Sequence, residues 1–287
     1  MSGAHPQNPT VSAFLLGMRE LGYVYDENFV TEVRGTDGKP ELFPRLAADL
    51  VRSKPDVIVA VGPSLGALKR ETSTIPVVMS AASDPVASGL VQSLARPGGN
   101  FTGLSLQAIE TTGKRLELLK ELVPGNAPVG MVWDRPSIAY WEAAQRAARS
   151  KDWKVVSLEI SSDAQIASVF KRAGDAGARS LLVTAAGLVF PRRWEFAELA
   201  SRSGLPAMYE LRPYAEAGGL VSYGVDIYDV WKDAALFVDK ILKGANPGTL
   251  PVEQPTKFEL IINLAAAKAL SLKIPQSLLL RADEVIQ

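Results

Sequence analysis

From Val57 onward the chain alternates short apolar runs with amphipathic stretches at helical spacing, and this βα rhythm constrains the fold more than any other feature. The run Asp56–Val61 (DVIVAV) lacks the every-second-residue polarity of a half-exposed strand. Such a strand is buried on both faces, which calls for a parallel sheet covered by crossover helices. A chain of 287 residues with 47 % hydrophobic residues can fill two cores of ordinary size.

Periodicity and punctuation place the elements in order. A helix is expected over Thr10–Leu21, a strand over Phe29–Arg34, and an amphipathic helix over Pro40–Arg52 with Leu42, Leu46, Leu50 and Val51 on one face. The buried strand Asp56–Val61, a helix Ser64–Glu71 and a strand Pro76–Ser80 follow. Asp84-Pro85 opens a helix expected to reach Leu94, since aspartate caps and proline suits the first helical position. After a turn at Arg96–Asn100 come a strand Phe101–Ser105 and a long helix Ile109–Val123. The rhythm then restarts with strands at Val129–Trp133, Lys154–Glu159, Ser180–Thr184 and Pro206–Tyr209, separated by helices Ser137–Lys151, Ser162–Ala176 and Pro191–Ser203. A strand Leu220–Tyr223, a helix Asp229–Lys243, a strand Phe258–Ile262 and a helix Asn263–Leu270 complete the chain. Two βα halves with a tail that revisits both read as two Rossmann-like lobes. One long sheet would give a similar string, and periodicity leaves both open.

Composition removes several function classes. Lys+Arg and Asp+Glu both number 31, so no net positive charge marks a nucleic-acid or anionic-membrane surface. With no cysteine there is no disulfide, thiolate metal site or Cys nucleophile. The single histidine, His5, lies in the polar stretch Met1–Pro9, a poor place for a zinc ligand or a catalytic triad. No cofactor, metal or catalytic residue is expected, and the chain reads as a binding protein rather than an enzyme.

Ligands of doubly wound α/β folds sit at the carboxyl ends of strands, so those edges supply the candidates. In Val61-Gly-Pro-Ser-Leu-Gly66 the Ser64 hydroxyl and nearby N–H groups suit an anion, or Ser64 simply caps its helix. Asp84 either caps or accepts a ligand ammonium group. Trp133 either stacks on a flat ligand or covers the core, and Ser137 opens the next helix. Thr184 begins the small, open stretch Thr184–Gly187, and Tyr209-Glu210 and Tyr223-Gly224 end two further strands, each tyrosine suiting a pocket wall or a core equally.

Longer stretches carry a specific resemblance. Ser83-Asp-Pro-Val-Ala-Ser-Gly-Leu-Val, Leu94-Ala-Arg-Pro-Gly-Gly-Asn-Phe-Thr-Gly-Leu-Ser and Glu216-Ala-Gly-Gly-Leu-Val-Ser-Tyr-Gly are three of them. Leu250-Pro-Val-Glu-Gln-Pro-Thr-Lys-Phe-Glu-Leu-Ile-Ile-Asn and Ile274-Pro-Gln-Ser-Leu-Leu-Leu-Arg-Ala-Asp-Glu-Val-Ile are the most telling. From about Val11 to its end the chain resembles the ABC-transporter substrate-binding family that includes tryptophan- and tyrosine-binding proteins. The resemblance implies a type 1 periplasmic-binding-protein fold with three crossings, near Leu104–Leu106, Gly219–Tyr223 and Pro255–Phe258. It places residues 1–104 and 220–254 in lobe 1, and 105–219 and 255–287 in lobe 2.

The implied function is capture of a small solute, an amino acid or aromatic carboxylate, by hinge closure and delivery to a membrane permease, by a monomer that binds no nucleic acid. Ligand contacts are implied at Ser64, Leu65, Asp84, Trp133, Ser137, Thr184, Tyr209, Tyr223 and Asp226. Trp133–Ser137 replaces an Asn-rich loop of many members, and Ala185–Gly187 an acidic one, so the solute stays open. The family's exported members begin with a signal peptide and a first strand, and neither is read here. The full-length form is expected in the periplasm or anchored outside the membrane, and this chain is expected to show unpaired strand edges and poor stability. The effector domain of a regulator and an α/β enzyme are the alternative functions.

Overall fold

The computed structural model describes residues 8–36, 39–185 and 187–287. His5 and Ala186 lie outside them. In chain order the elements are α1 (Pro9–Glu20), α2 (Phe43–Arg52), β1 (Ile58–Val61), α3 (Pro63–Glu71), β2 (Val77–Ala82), β3 (Phe101–Ser105) and α4 (Thr112–Leu122). Next come β4 (Val129–Asp134), α5 (Ile138–Ser150), β5 (Val155–Ile160), α6 (Ile166–Asp175), β6 (Ser180–Val183), α7 (Arg193–Arg202) and β7 (Ala207–Tyr209). The chain ends with α8 (Arg212–Glu216), β8 (Val221–Val225), α9 (Ile227–Leu242), β9 (Phe258–Asn263), α10 (Leu264–Ala269), α11 (Gln276–Leu279) and β10 (Glu284–Ile286). Two compact units result. One holds the described residues through Gln107 together with Asp226–Thr256, and the other holds Ala108–Val225 with Lys257–Gln287.

In the first unit β1, β2 and β3 form a parallel sheet in that order, with Ile58 opposite Val77 and Val77 opposite Phe101. Its core joins Ile58, Leu65, Leu68, Val77, Met79 and Phe101 to Ala47 of α2 and Val252. Helix α9 packs on β2 and β3, and α1 packs on α9. The α1–α9 approach is close because Gly17 has no side chain: a Cβ there would lie 2.5 Å from the Lys232 carbonyl oxygen and 2.9 Å from the Ala235 Cβ. Phe14 and Met18 are buried beside it.

The strand expected over Phe29–Arg34 does not form. Phe29 makes a lone bridge to Tyr25, and Val30 is 74 % exposed. The residues have strand composition, but a strand exists only through a partner's ladder, and this segment has none among the described residues. The helix expected from Asp84 is a set of turns in which Pro85 C=O accepts from both Leu90 and Val91 N–H. Gly89, at φ +67°, closes the first turn in a left-handed conformation that a continuing helix does not use.

The second unit carries seven strands in the order β10-β9-β8-β7-β6-β4-β5, parallel except for the antiparallel β8–β9 pair. Every residue of β4 and β6 is buried. The strand expected at Leu220–Tyr223 in lobe 1 runs over Val221–Val225 and pairs within this sheet, so its crossing lies after Val225. Arg115 of α4, only 2 % exposed, holds the start of the unit to the sheet. Its guanidinium donates to the carbonyls of Ala108 and of Tyr223 in the middle of β8, and to the hydroxyls of Thr111 and Thr112. Among the described residues no helix is long and apolar enough to cross a membrane.

Replacing Gly17 forces α1 off α9. Gly17→Val is expected to cost about 1–3 kcal/mol, the usual range for overpacking. Hydrogen exchange checks it: protection should fall at Phe14–Met18 and stay unchanged at β4 and β6.

Candidate functional site

The carboxyl ends of the parallel strands hold polar groups in each unit. In the first, the Ser64 hydroxyl turns back on β1. It donates to the Val61 carbonyl at 2.6 Å and accepts from the Val61 N–H at 3.2 Å. Ser64 therefore does not cap α3, whose cap position is Gly62. Asp84 accepts from the Ala87 N–H at 2.9 Å, closing the turn after β2. Asp226 caps α9 by accepting from the Tyr228 N–H at 2.9 Å and the Asp229 N–H at 3.3 Å. Leu65 belongs to the hydrophobic core of this unit, 3 % exposed, and is not a surface for a ligand.

In the second unit the strand ends converge on a buried carboxylate. Glu210 follows β7 and is 1 % exposed. One of its oxygens accepts from the Tyr140 hydroxyl of α5 at 3.2 Å, and the other from the Ala185 N–H after β6 at 2.8 Å. Asp134, at the end of β4 and 4 % exposed, accepts from the Ser137 hydroxyl at 2.6 Å. The Thr184 hydroxyl donates to the Val132 carbonyl, and the Thr184 carbonyl accepts from the Tyr214 hydroxyl, both at 3.2 Å. Burial pushes the Tyr214 phenol well above its usual range, and the negative charges of Glu210 and Asp134 push it in the same direction. These carboxylates therefore act on one small region that also holds Ser137, Tyr140, Thr184 and Tyr214.

Gly224 makes room for this arrangement. A Cβ on it would sit 2.0 Å from the Glu210 carbonyl oxygen, a distance that no side-chain rotation relieves. Gly224 lies on β8, and Glu210 directly follows the neighbouring strand β7, whose Tyr209 is in register with Ser222.

Two aromatic candidates turn away from the edge. The Trp133 ring, 3 % exposed, stacks on Trp141 at 6.0 Å, with its indole N–H donating to the Ser157 hydroxyl at 2.9 Å. Tyr209 is fully buried, stacked on Tyr214 at 4.8 Å and edge-on to Phe196. Its hydroxyl has no hydrogen-bond partner among the described residues, and burial drives its pKa upward. Side chains alternate across a strand, so a residue at or next to the end of β4 or β7 that seems to face a crevice can face a helix instead. Tyr223 is half-buried, its ring stacked on Phe258 at 6.0 Å. Thus the structure gathers Ser137 and Thr184, sets Ser64, Asp84 and Asp226 in backbone-bonding roles, and places Leu65, Trp133 and Tyr209 in cores. Sequence reasoning missed Tyr140 and Tyr214, and Glu210 entered only within the strand-end stretch Tyr209–Glu210, with Tyr209 as the candidate contact. A lone Glu between apolar residues directly after a buried strand was the available signal.

The model of the family described as ABC transporter substrate binding protein matches residues 5–286. The chain belongs to that family. A tyrosine-binding protein of Clostridioides difficile is 26 % identical over 275 residues, covering 94 % of this chain and 79 % of that protein. Among solved structures, a conserved domain protein from Vibrio cholerae is 28 % identical with a TM-score of 0.90, over 97 % of this chain and 94 % of that one. The ABC domain in complex with L-Trp from Streptococcus pneumonia is 25 % identical with a TM-score of 0.89, over 100 % and 97 %. The fold is that of the type 1 periplasmic binding proteins, with two α/β sheets, as the resemblance implied.

Two outcomes test the geometry of this family member. Gly224→Ala is expected to displace the backbone at Glu210 and cost about 1–3 kcal/mol in urea unfolding. Tyr209 and Tyr214 hold their protons more tightly folded than unfolded. Their stabilisation is full below about pH 10, the unfolded value, and is lost as pH rises beyond it. Ultraviolet titration should leave two of the seven tyrosines unionised until the protein unfolds.

Proposed function

We propose that this protein is the solute-receiving component of an ABC importer. It takes up a small molecule outside the cytoplasmic membrane and presents it to a permease. The observation that carries this reading is the strand-end edge of the second unit, where Ser137, Tyr140, Thr184, Glu210 and Tyr214 form a buried, hydrogen-bonded polar cluster at the carboxyl ends of a parallel sheet. Family membership and the tyrosine- and L-Trp-binding relatives support an amino acid or another aromatic solute.

Ser137, Thr184 and Tyr223 are the proposed solute contacts of the second unit, and Ser64, Asp84 and Asp226 those of the first. Leu65, Trp133 and Tyr209 support their surroundings from the core. The crossings after Gln107, Val225 and Thr256 are the proposed hinges for closure on the solute.

Thermal unfolding with L-tyrosine or L-tryptophan tests the reading. Binding to the folded state alone stabilises by about 2.7 kcal/mol at a hundredfold excess over Kd, so a dose-dependent rise in Tm is expected. A melting curve indifferent to both, and to a wider set of aromatic acids, contradicts it.

A further inference from the structure

At the amino ends of β4 and β5, the end of the second unit's sheet opposite Glu210, lies a cavity of about 340 Å³. The two ends of β4, Val129 and Asp134, are roughly 16 Å apart at about 3.3 Å per residue, so this cavity is separate from the strand-end edge. Its apolar lining comes from Pro128, Ala148, Val155 and Val156. Its polar lining is Gln145 and Arg149 on α5, with Trp153 and Lys154 leading into β5. Residues 145 and 149 are about one helical turn apart and share a face. Asp152, at φ +53°, turns the chain after α5, and the Trp153 N–H donates back to the Ala148 carbonyl at 2.9 Å.

The fold makes no use of the polar side chains that line this cavity. Among the described residues the Gln145 amide, the Arg149 guanidinium, the Trp153 indole N–H and the Lys154 ammonium form no hydrogen bond or ion pair. The neighbouring Lys151, by contrast, pairs with Glu117 at 3.6 Å. Nor are the cations needed to finish the helix. The Ala147 carbonyl accepts from the Ser150 hydroxyl, Ala148 from the Lys151 and Trp153 N–H groups, and Arg149 from the Asp152 N–H. The exposed Asp152 carboxylate pairs with neither cation among the described residues and does not line the cavity. Guanidinium, ammonium and indole N–H can only donate, so this lining calls for an acceptor carried on an apolar body.

We propose that this cavity is a second ligand site, for small apolar anions that carry no ammonium group, namely aromatic or medium-chain carboxylates. The inference is independent of the solute-binding reading. Trp153 supplies a ring surface, and Arg149 with Lys154 supplies the counter-charge. Zwitterionic amino acids set an ammonium against two cations and stay out.

Backbone and indole N–H chemical shifts of the full chain test the site. The probes are 2-naphthoate and octanoate, against 2-naphthylmethylammonium and phosphatidylglycerol vesicles. Both free acids are expected to move the Trp153 indole and the Val155 and Val156 amides saturably. The ammonium probe is expected to leave them still. Arg149→Gln with Lys154→Gln should weaken the acids about tenfold, as loss of two exposed ion pairs does. Lys268→Gln, which removes an exposed charge on α10, should leave their affinity unchanged. Equal binding of the ammonium probe, equal weakening by Lys268→Gln, or an unweakened double variant overturns the proposal. Response to vesicles without response to the free acids also overturns it, assigning the face to a lipid surface. Shifts at Ala185 with Trp153 unmoved overturn it and leave the solute-binding reading standing.

Discussion

A carboxylate taken out of water has to be surrounded by donors, and the strand-end edge of the second unit is arranged around that requirement at Glu210. The donors come from different elements. Tyr140 stands on α5 and Ala185 follows β6, so the carboxylate ties a helix to a strand-end loop. Tyr214 adds a third connection by donating to the Thr184 carbonyl, one residue from Ala185. Gly224 on β8 leaves space for the Glu210 backbone. The same region that holds the charge is therefore rigid, which is what a binding edge needs to hold a ligand without paying to order itself.

The sheet beneath supplies that rigidity. Its central strands β4 and β6 are buried throughout, and parallel pairing sends all of their carboxyl ends to one edge. Arg115 makes the start of α4 part of the same body by bonding Ala108 on one side and Tyr223 in the middle of β8 on the other. The first unit uses polar residues differently. Ser64, Asp84 and Asp226 all spend hydrogen-bonding capacity on nearby backbone, shaping the turn after β1, the turn after β2 and the start of α9.

Much of the fold was legible because buried parallel strands leave an unambiguous signal. Phe101–Ser105 emerges with the expected bounds, and the strands of the second unit shift by only a residue or two. Phe29–Arg34 and Asp84–Leu94 show the limit. The first has β-type residues but no ladder to join among the described residues. The second has a helix-start signal that a left-handed Gly89 cancels within one turn. Short β10 and α8 carry too few residues for periodicity to register. At the site, residue type was readable but direction was not. Tyr209 ends its strand as expected and Trp133 stands one residue before the end of its own, yet both rings enter the core, while Glu210, the next residue after Tyr209, holds the charge at the edge. Tyr140 and Tyr214 reach the edge from helices, at positions that only tertiary packing defines.

The claim on which the rest depends is that solute binds at the edge built around Glu210. Amide chemical shifts followed during titration with L-tyrosine or L-tryptophan test it most directly. The account predicts large shifts at Ala185 and Gly224, which flank the carboxylate, and none at Val155 and Val156 at the start of β5. Shifts that leave Ala185 and Gly224 unmoved while other residues respond would contradict it.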